Sequence, residues 1–261
     1  MHTEPQRDAR TLFEGVTQWE FGWKSYTAKL PVFYRDSSSF AAIYAAPTKA
    51  VRPLLRHPSL RPIELVPGTS LVAITAFEYR DSDIGPYNEL SIAVLASIAR
   101  RPIAGASFLA QLARGVTSAY VWQLPVTTEI ARLGGVELYG YPKFLASIDF
   151  ERGRGRIACQ LGADGQNILR LSGPMLTTSR GTVVRIETYS VRDGIPLRAN
   201  VITDHLEQAQ SLYPRGVELS LGDHPIAAQL RALELGPRPL IYQYSPHTQS
   251  VLCAGRNLLD A

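Results

Sequence analysis

Apolar and polar residues alternate along most of this chain in short runs, and β-branched and aromatic residues crowd into them. Successive side chains on a strand point to opposite faces. This period-two texture therefore predicts strands over 40–45, 70–79, 87–97, 118–125, 144–151, 156–161, 166–172, 182–189 and 216–221. In 71–77 either parity is mostly apolar, which predicts a strand covered on both faces. Proline (18 residues) and glycine (20) punctuate the runs from end to end, as they do between short strands.

Helical spacing is rarer. The pattern predicts helices over 48–56, 103–114, 127–133, 204–212 and 223–235. Pro53 and Pro58 limit the first, Gly115 ends the second, and Gly134-Gly135 stop the third. The last two open with capping aspartates, Asp204 and Asp223, and Pro225 sits where a first turn tolerates it. Strands outnumber helices and do not alternate with them, which disfavours a parallel βαβ fold. The predicted architecture is one α+β domain over 1–261, mainly antiparallel β, curled into a barrel with a few peripheral helices. Residues 1–20 read as a loosely ordered lead-in.

Composition narrows the function classes. The chain has 261 residues, 45% of them hydrophobic and 19% charged, so it folds around a core. Its longest nearly uncharged apolar run, 90–99, is about half a bilayer span, and no membrane partner is expected. The first eight residues are polar with both charge signs, unlike a signal peptide. Two cysteines, Cys159 and Cys253, make neither a disulfide framework nor a metal motif, and a cytoplasmic location is expected. A net charge of +4 is mild at this length and predicts no nucleic-acid partner. Only four of the 27 basic residues are lysines, and Lys143 is the one in mid-chain.

Familiar catalytic signatures are missing: GxxxxGK[ST], HExxH, GxSxG and CxxC do not occur. The five histidines have no ligand-like spacing, and no metal is expected. Residues 153–158 match GxGxxA, but a strand-like run follows where a phosphate-binding helix would have to start. Two turn glycines between two runs predict a hairpin turn instead.

The segment 134–150 (GGVELYGYPKFLASIDF) is different in kind. One lysine, Lys143, lies among Tyr139, Tyr141, Pro142, Phe144 and Leu145. An ammonium in such surroundings is poorly hydrated, which favours the free amine, and an amine condenses with a ketone to a Schiff base. The same residues also fit a surface lysine that snorkels beside aromatic rings.

Here the sequence resembles the acetoacetate decarboxylase family. Glu137-Leu138-Tyr139-Gly140-Tyr141-Pro142-Lys143 is similar to that family's E-L-x-x-Y-P-K segment, in which the Schiff-base lysine comes last. Gly85-Pro86-Tyr87-Asn88-Glu89 resembles the family's segment ending in an active-site Glu. Phe33-Tyr34-Arg35-Asp36, before a strand ending Ile43-Tyr44, is similar to its N-R-E. The three matches keep order and approximate spacing over 25–150.

The resemblance implies a cone-like antiparallel barrel, usually assembled as a homo-oligomer, that works without a cofactor. It implies Lys143 as nucleophile, Glu89 as acid/base or orienting carboxylate, and Arg35 as partner of Glu89 or of a substrate carboxylate. Tyr87, Tyr141 and Phe144 are the expected substrate contacts. Tyr242, which alternates with Tyr244 near the C-terminus, is a further one. The expected activity is a Schiff-base lyase acting on a β-keto or 2-oxo acid. The same imine supports aldol addition or dehydration without CO₂ release, and a barrel that merely anchors an apolar carbonyl ligand on its lysine is the third reading.

Two positions depart from the family. Phe144 stands where its decarboxylases carry a second lysine, leaving desolvation as the activating influence on Lys143. Ungapped counting places Ile74 where they carry a second Glu. Glu78 shares the strand face of Ile74, but reads more simply as an exposed charge beside Arg80.

Overall fold

Seven long strands close into a ring in this structure, a computed structural model that describes residues 12–23, 26–98 and 102–259. A hairpin of β1 (Trp19–Trp23) and β2 (Tyr26–Leu30) leads into the 16-residue β3 (Val32–Pro47). Helix α1 (Thr48–Val51), a 3-10 turn (Arg52–Leu54) and the short β4 (Leu60–Pro62) and β5 (Glu64–Val66) follow. β6 (Thr69–Ser82) and β7 (Tyr87–Ile98) form a long hairpin, then come α2 (Ala106–Ala113), β8 (Val116–Gln123) and α3 (Glu129–Tyr139). β9 (Ser147–Gly153), β10 (Arg156–Ala163) and β11 (Gln166–Pro174) make a meander. The chain continues through β12 (Val183–Arg192), β13 (Ile195–Leu212) and β14 (Glu218–Leu221). It ends with α4 (Pro225–Ala232), β15 (Ile241–Leu252) and β16 (Arg256–Asn257).

The ring runs β3-β6-β7-β8-β12-β13-β15 and back to β3. All its pairs are antiparallel except β8 with β12. Closure leaves no edge strand in the ring, which satisfies its backbone donors and acceptors without a partner. A second sheet, β14-β11-β10-β9, shares no strand pairing with the ring and packs on one of its faces.

The two faces of the ring bury different clusters. One face of β3, β6 and β7 presents Phe40, Ala42, Val72, Ile74, Leu90 and Ile92 to the second sheet and to α4. Side chains such as Ile74 and Leu90 are fully buried there, each worth about 1.5–3 kcal/mol over its exposed state. The opposite face carries Val32, Tyr34, Tyr87, Val121, Ala199 and Leu252, and α3 packs on it through Ala131 and Tyr139. Within 71–77, positions 71, 72, 74 and 76 are buried while 73, 75 and 77 are half-buried, so burial on the two faces is unequal.

Two helix expectations need correction. The span 204–212, predicted helical from a capping Asp204, belongs to β13. Asp204 pairs with Val183 on one side and Gln249 on the other, and its carboxylate receives Arg180 at 2.8 Å. Ladder bonds on both flanks outweigh a local capping preference. The helix predicted to stop at Gly134-Gly135 instead runs through them, and Gly140, with φ +62°, caps it. The hairpin turn expected at 153–156 is present, with Arg154 and Gly155 both at positive φ between β9 and β10. Residues 1–11 of the expected N-terminal lead-in lie outside the described residues. Within 12–20 most side chains are exposed, but Phe13 lies 4.8 Å from the ring of Phe33 and Gln18 donates to Asp83.

Candidate active site

α3 ends in a turn that decides where Lys143 goes. Gly140 adopts the left-handed conformation, and the Tyr141 N–H closes a bond to the Gly135 carbonyl. A Cβ at Gly140 would also lie 2.9 Å from Arg192 Cβ and Leu197 Cδ1, so the turn sits hard against β12 and β13. Pro142 then sits in a tight turn, with the Lys143 N–H donating to the Tyr141 carbonyl at 2.8 Å, before the chain runs on extended. The extended stretch runs beside 124–126, with Val126 N–H donating to the Phe144 carbonyl and Ala146 N–H to Val126. Val126 in turn bridges to Glu89 on β7. Backbone pairing thus brings residue 143 alongside residue 89.

The side chains complete the approach. Lys143 Nζ lies 2.6 Å from a carboxylate oxygen of Glu89, and the two side chains are 7% and 8% exposed. Nζ also stands 5.6 Å from the centroid of the Tyr87 ring, within reach of its π face. The methylenes of Lys143 cross directly over α3 at Gly135. A Cβ there would lie 2.5 Å from Lys143 Cε and closer still to Cδ, so only glycine leaves the lysine its path.

Phenols surround the pair. Tyr79 donates to Glu89 at 3.4 Å, Tyr34 and Tyr87 share a hydrogen bond of 3.2 Å, and Tyr141 bonds Thr188 at 2.6 Å. The ring of Tyr79 lies 4.4 Å from Tyr34 and 4.6 Å from Tyr87. Burial first, and the negative charge of Glu89 second, push the Tyr79 and Tyr87 hydroxyls well above the ordinary phenol range. Burial pushes Tyr34 and Tyr141 the same way. These groups stay protonated; Tyr79 donates to Glu89, while Tyr34 and Tyr87 share one hydrogen bond between them. A cleft reaches Lys143 between the β1–β2 hairpin and α3, walled by Val32, Ile84, Ile130 and Leu252.

Of the residues expected from sequence, Lys143, Glu89, Tyr87 and Tyr141 come together. Three do not join them. Arg35 pairs with Asp83 at 2.6 Å and not with Glu89; Asp83 also accepts from Phe33 N–H and Gln18, so β3 and the N-terminal lead-in hold it in place. Phe144 points away from Lys143, as neighbours on an extended chain do, and packs with the cluster on the other face of the ring. Tyr242 belongs to that cluster too. It is fully buried beside Phe40, and its hydroxyl donates to the Pro174 carbonyl.

The second-carboxylate question is settled by register. Phe77 pairs with Glu89, while Ile74 pairs with Ile92 and Glu78 with Asn88. Cross-strand partners share a face, so Ile74 and Glu78 lie on the face opposite Glu89. Ile74 is core, and Glu78 holds Arg152 at 2.6 Å and Arg80 at 3.5 Å. Sequence reasoning missed Tyr79 and Gly135 as parts of the site. Tyr79 lies two residues past Phe77 on the Glu89 face, a signal that needed the β6–β7 register. Among the described residues no group of three or more His, Cys, Asp or Glu side chains converges to hold a metal ion, and no helix is long and apolar enough to cross a membrane.

Comparison with known proteins agrees with this fold. The fold is similar to an acetoacetate decarboxylase from Legionella pneumophila, with a TM-score of 0.63 at 14% identity over 87% of each chain. It is similar to the enduracididine biosynthesis enzyme MppR, solved with the condensation product of pyruvate and imidazole 4-carboxaldehyde. That match has a TM-score of 0.64 at 15% identity, covering 87% of this chain and 89% of MppR. An acetoacetate decarboxylase-like enzyme from Sphingomonas wittichii RW1 has a TM-score of 0.54 at 14% identity, over 88% of this chain and 92% of its own. No curated protein sequence matches the chain. The family model for acetoacetate decarboxylase matches residues 20–240, and the chain belongs to the acetoacetate decarboxylase family of enzymes.

Proposed function

We propose that this protein is a Schiff-base lyase that acts on a β-keto or 2-oxo acid through an imine with Lys143 and releases CO₂ where the acid is a β-keto acid. The carrying observation is the 2.6 Å contact between Lys143 Nζ and Glu89 inside a buried, phenol-lined site. Passing a proton across that contact to Glu89 leaves a neutral amine. Its lone pair attacks the substrate carbonyl, a C–N bond forms, and loss of water gives a protonated imine. For a β-keto acid, the electrons of the bond to the carboxylate then flow into the imine, CO₂ departs and an enamine remains. Glu89, whose first proton left with the departing water, takes another from solvent and delivers it to the enamine carbon, and water hydrolyses the product imine to regenerate the amine. The chemistry needs no cofactor. Apolar cleft walls favour the uncharged product over the anionic substrate.

A specific observation supports a second reading. Ile74 and Glu78 lie off the site, so Glu89 has no carboxylate companion from β6. An enamine that meets an aldehyde before a proton forms a C–C bond instead, and subsequent loss of water makes an aldolase–dehydratase. The likeness to MppR, solved with a condensation product, is compatible with this chemistry.

Borohydride reduction in the presence of a panel of keto acids, followed by intact-mass measurement, tests both. The expected result is an adduct of substrate or decarboxylated-product mass on wild type and none on Lys143→Ala. The adduct mass separates CO₂ loss from condensation. An adduct that accumulates without turnover would indicate a binding barrel, and none with any carbonyl compound would overturn the imine.

A further inference from the structure

The three buried residues of α3, Ala131, Gly135 and Tyr139, are spaced four apart and share one face. A helical side chain leans over the turn before its own Cα. The Tyr139 ring therefore covers the turn of Gly135, where the methylenes of Lys143 run. It lies flat against Tyr141, with centroids 5.4 Å apart and planes within 8°. It is 4% exposed and forms part of the wall of the cleft that reaches Lys143.

Its hydroxyl differs from the others around it. Tyr34, Tyr79, Tyr87 and Tyr141 all have hydrogen-bond partners, whereas the Tyr139 hydroxyl is buried with none. Buried hydroxyls are normally bonded, so an orphan donor in the wall of a cleft marks a place for a ligand acceptor. The cationic alternatives are engaged. Arg35 is held by Asp83, and Lys29, which also borders the cleft, is held by Glu20 at 2.7 Å.

We propose that the Tyr139 hydroxyl donates to a carboxylate oxygen of the keto acid bound to Lys143, and so selects acids over simple ketones. This rests on the imine reading above. Tyr139 is a positioning residue: it fixes the carboxylate, while Lys143 and Glu89 carry the bond changes. Val32, Ile84, Ile130 and Leu252 would face the remainder of the substrate, which places an apolar substituent there.

The test compares Tyr139→Phe with wild type in borohydride trapping by 2-oxobutanoate, by 3-oxobutanoate and by butanone, which lacks the carboxylate. The half-saturating concentration of at least one acid should rise about tenfold in the variant, as loss of a charge-assisted hydrogen bond dictates, while that of butanone stays put. Removing an unbonded hydroxyl leaves thermal stability at or above wild type, which guards against a folding artefact. A lower melting temperature in Tyr139→Phe would reveal a structural bond and overturn the proposal. Equal shifts for acids and butanone, or no shift for any of them, would overturn this inference alone. Absence of any Lys143 adduct in wild type would overturn it together with the imine reading.

Discussion

Lys143 and Glu89, 54 residues apart in sequence, meet at 2.6 Å where neither side chain is more than 8% exposed. Bringing both groups out of water costs several kcal/mol, and their attraction offsets this only while both are present. The pair is therefore a poor stabiliser and a sensitive one, which suits a contact kept for chemistry.

Removing one member should expose that sensitivity. Glu89→Ala leaves an uncompensated amine and should lose about 3–5 kcal/mol in urea denaturation. The double variant Lys143→Met with Glu89→Leu should recover most of that loss without activity. Glu89→Gln should fold and form the imine at least about 10²-fold more slowly. Trapping at the wild-type rate by Glu89→Gln would exclude Glu89 from proton transfer.

Gly135 is expected to matter to activity more than to folding. Alanine is the better helix former by about 1 kcal/mol, so Gly135→Ala should not lower the melting temperature unless displacement of the lysine costs more. Its methyl nevertheless occupies the path of Lys143 and moves Nζ off Glu89. A displacement on the order of 1 Å costs about 10²-fold in rate, so Schiff-base trapping should collapse while circular dichroism stays native. Full trapping by this variant would show that the lysine has another route.

Asp83 should outweigh Arg35 in stability. The Asp83 side chain is 4% exposed and accepts from Arg35, Phe33 N–H and Gln18, whereas the Arg35 side chain is 40% exposed. Arg35→Ala should cost no more than about 1 kcal/mol. Asp83→Ala strands buried donors and should cost about 1–3 kcal/mol. Equal losses would contradict the geometry.

Alkaline pH gives a test with a definite sign. Tyr34, Tyr79, Tyr87 and Tyr141 ionise above the ordinary phenol range in the folded chain because burial disfavours the phenolate. Above about pH 10 the unfolded chain releases these protons while the folded chain keeps them. Folded protein then binds more protons than unfolded, so stability is level below that pH and falls as pH rises through it. Phenolate absorbance from these residues should appear together with unfolding. A smooth titration of all twelve tyrosines while the fold persists would refute the buried cluster.

Much of the fold was readable from local pattern. The hairpin at 153–156 needed only two glycines between strand-like runs, and the 70–79 and 87–97 runs became β6 and β7. The 204–212 segment was misread because Asp204 offers a capping signal whatever its neighbours are. The two strands that convert it to β13 lie up to 45 residues away in sequence, from Val183 to Gln249. At the site, Lys143 showed itself by its isolation among aromatic residues, and Glu89 by the family segment that ends on it.

Sequence by itself determined a strand-rich chain of the acetoacetate decarboxylase family and singled out Lys143, because alternation, turn residues and a short motif are properties of neighbouring residues. Tertiary structure decided the company that lysine keeps. Whether Phe144 or Tyr242 faces Lys143 depends on which face of a sheet each occupies, and one residue of register reverses that choice. Whether Arg35 meets Glu89 or Asp83 depends on a turn that places Asp83 nearer. Closure of seven strands into a ring fixes all these registers at once, and no stretch of the chain read alone contains that constraint.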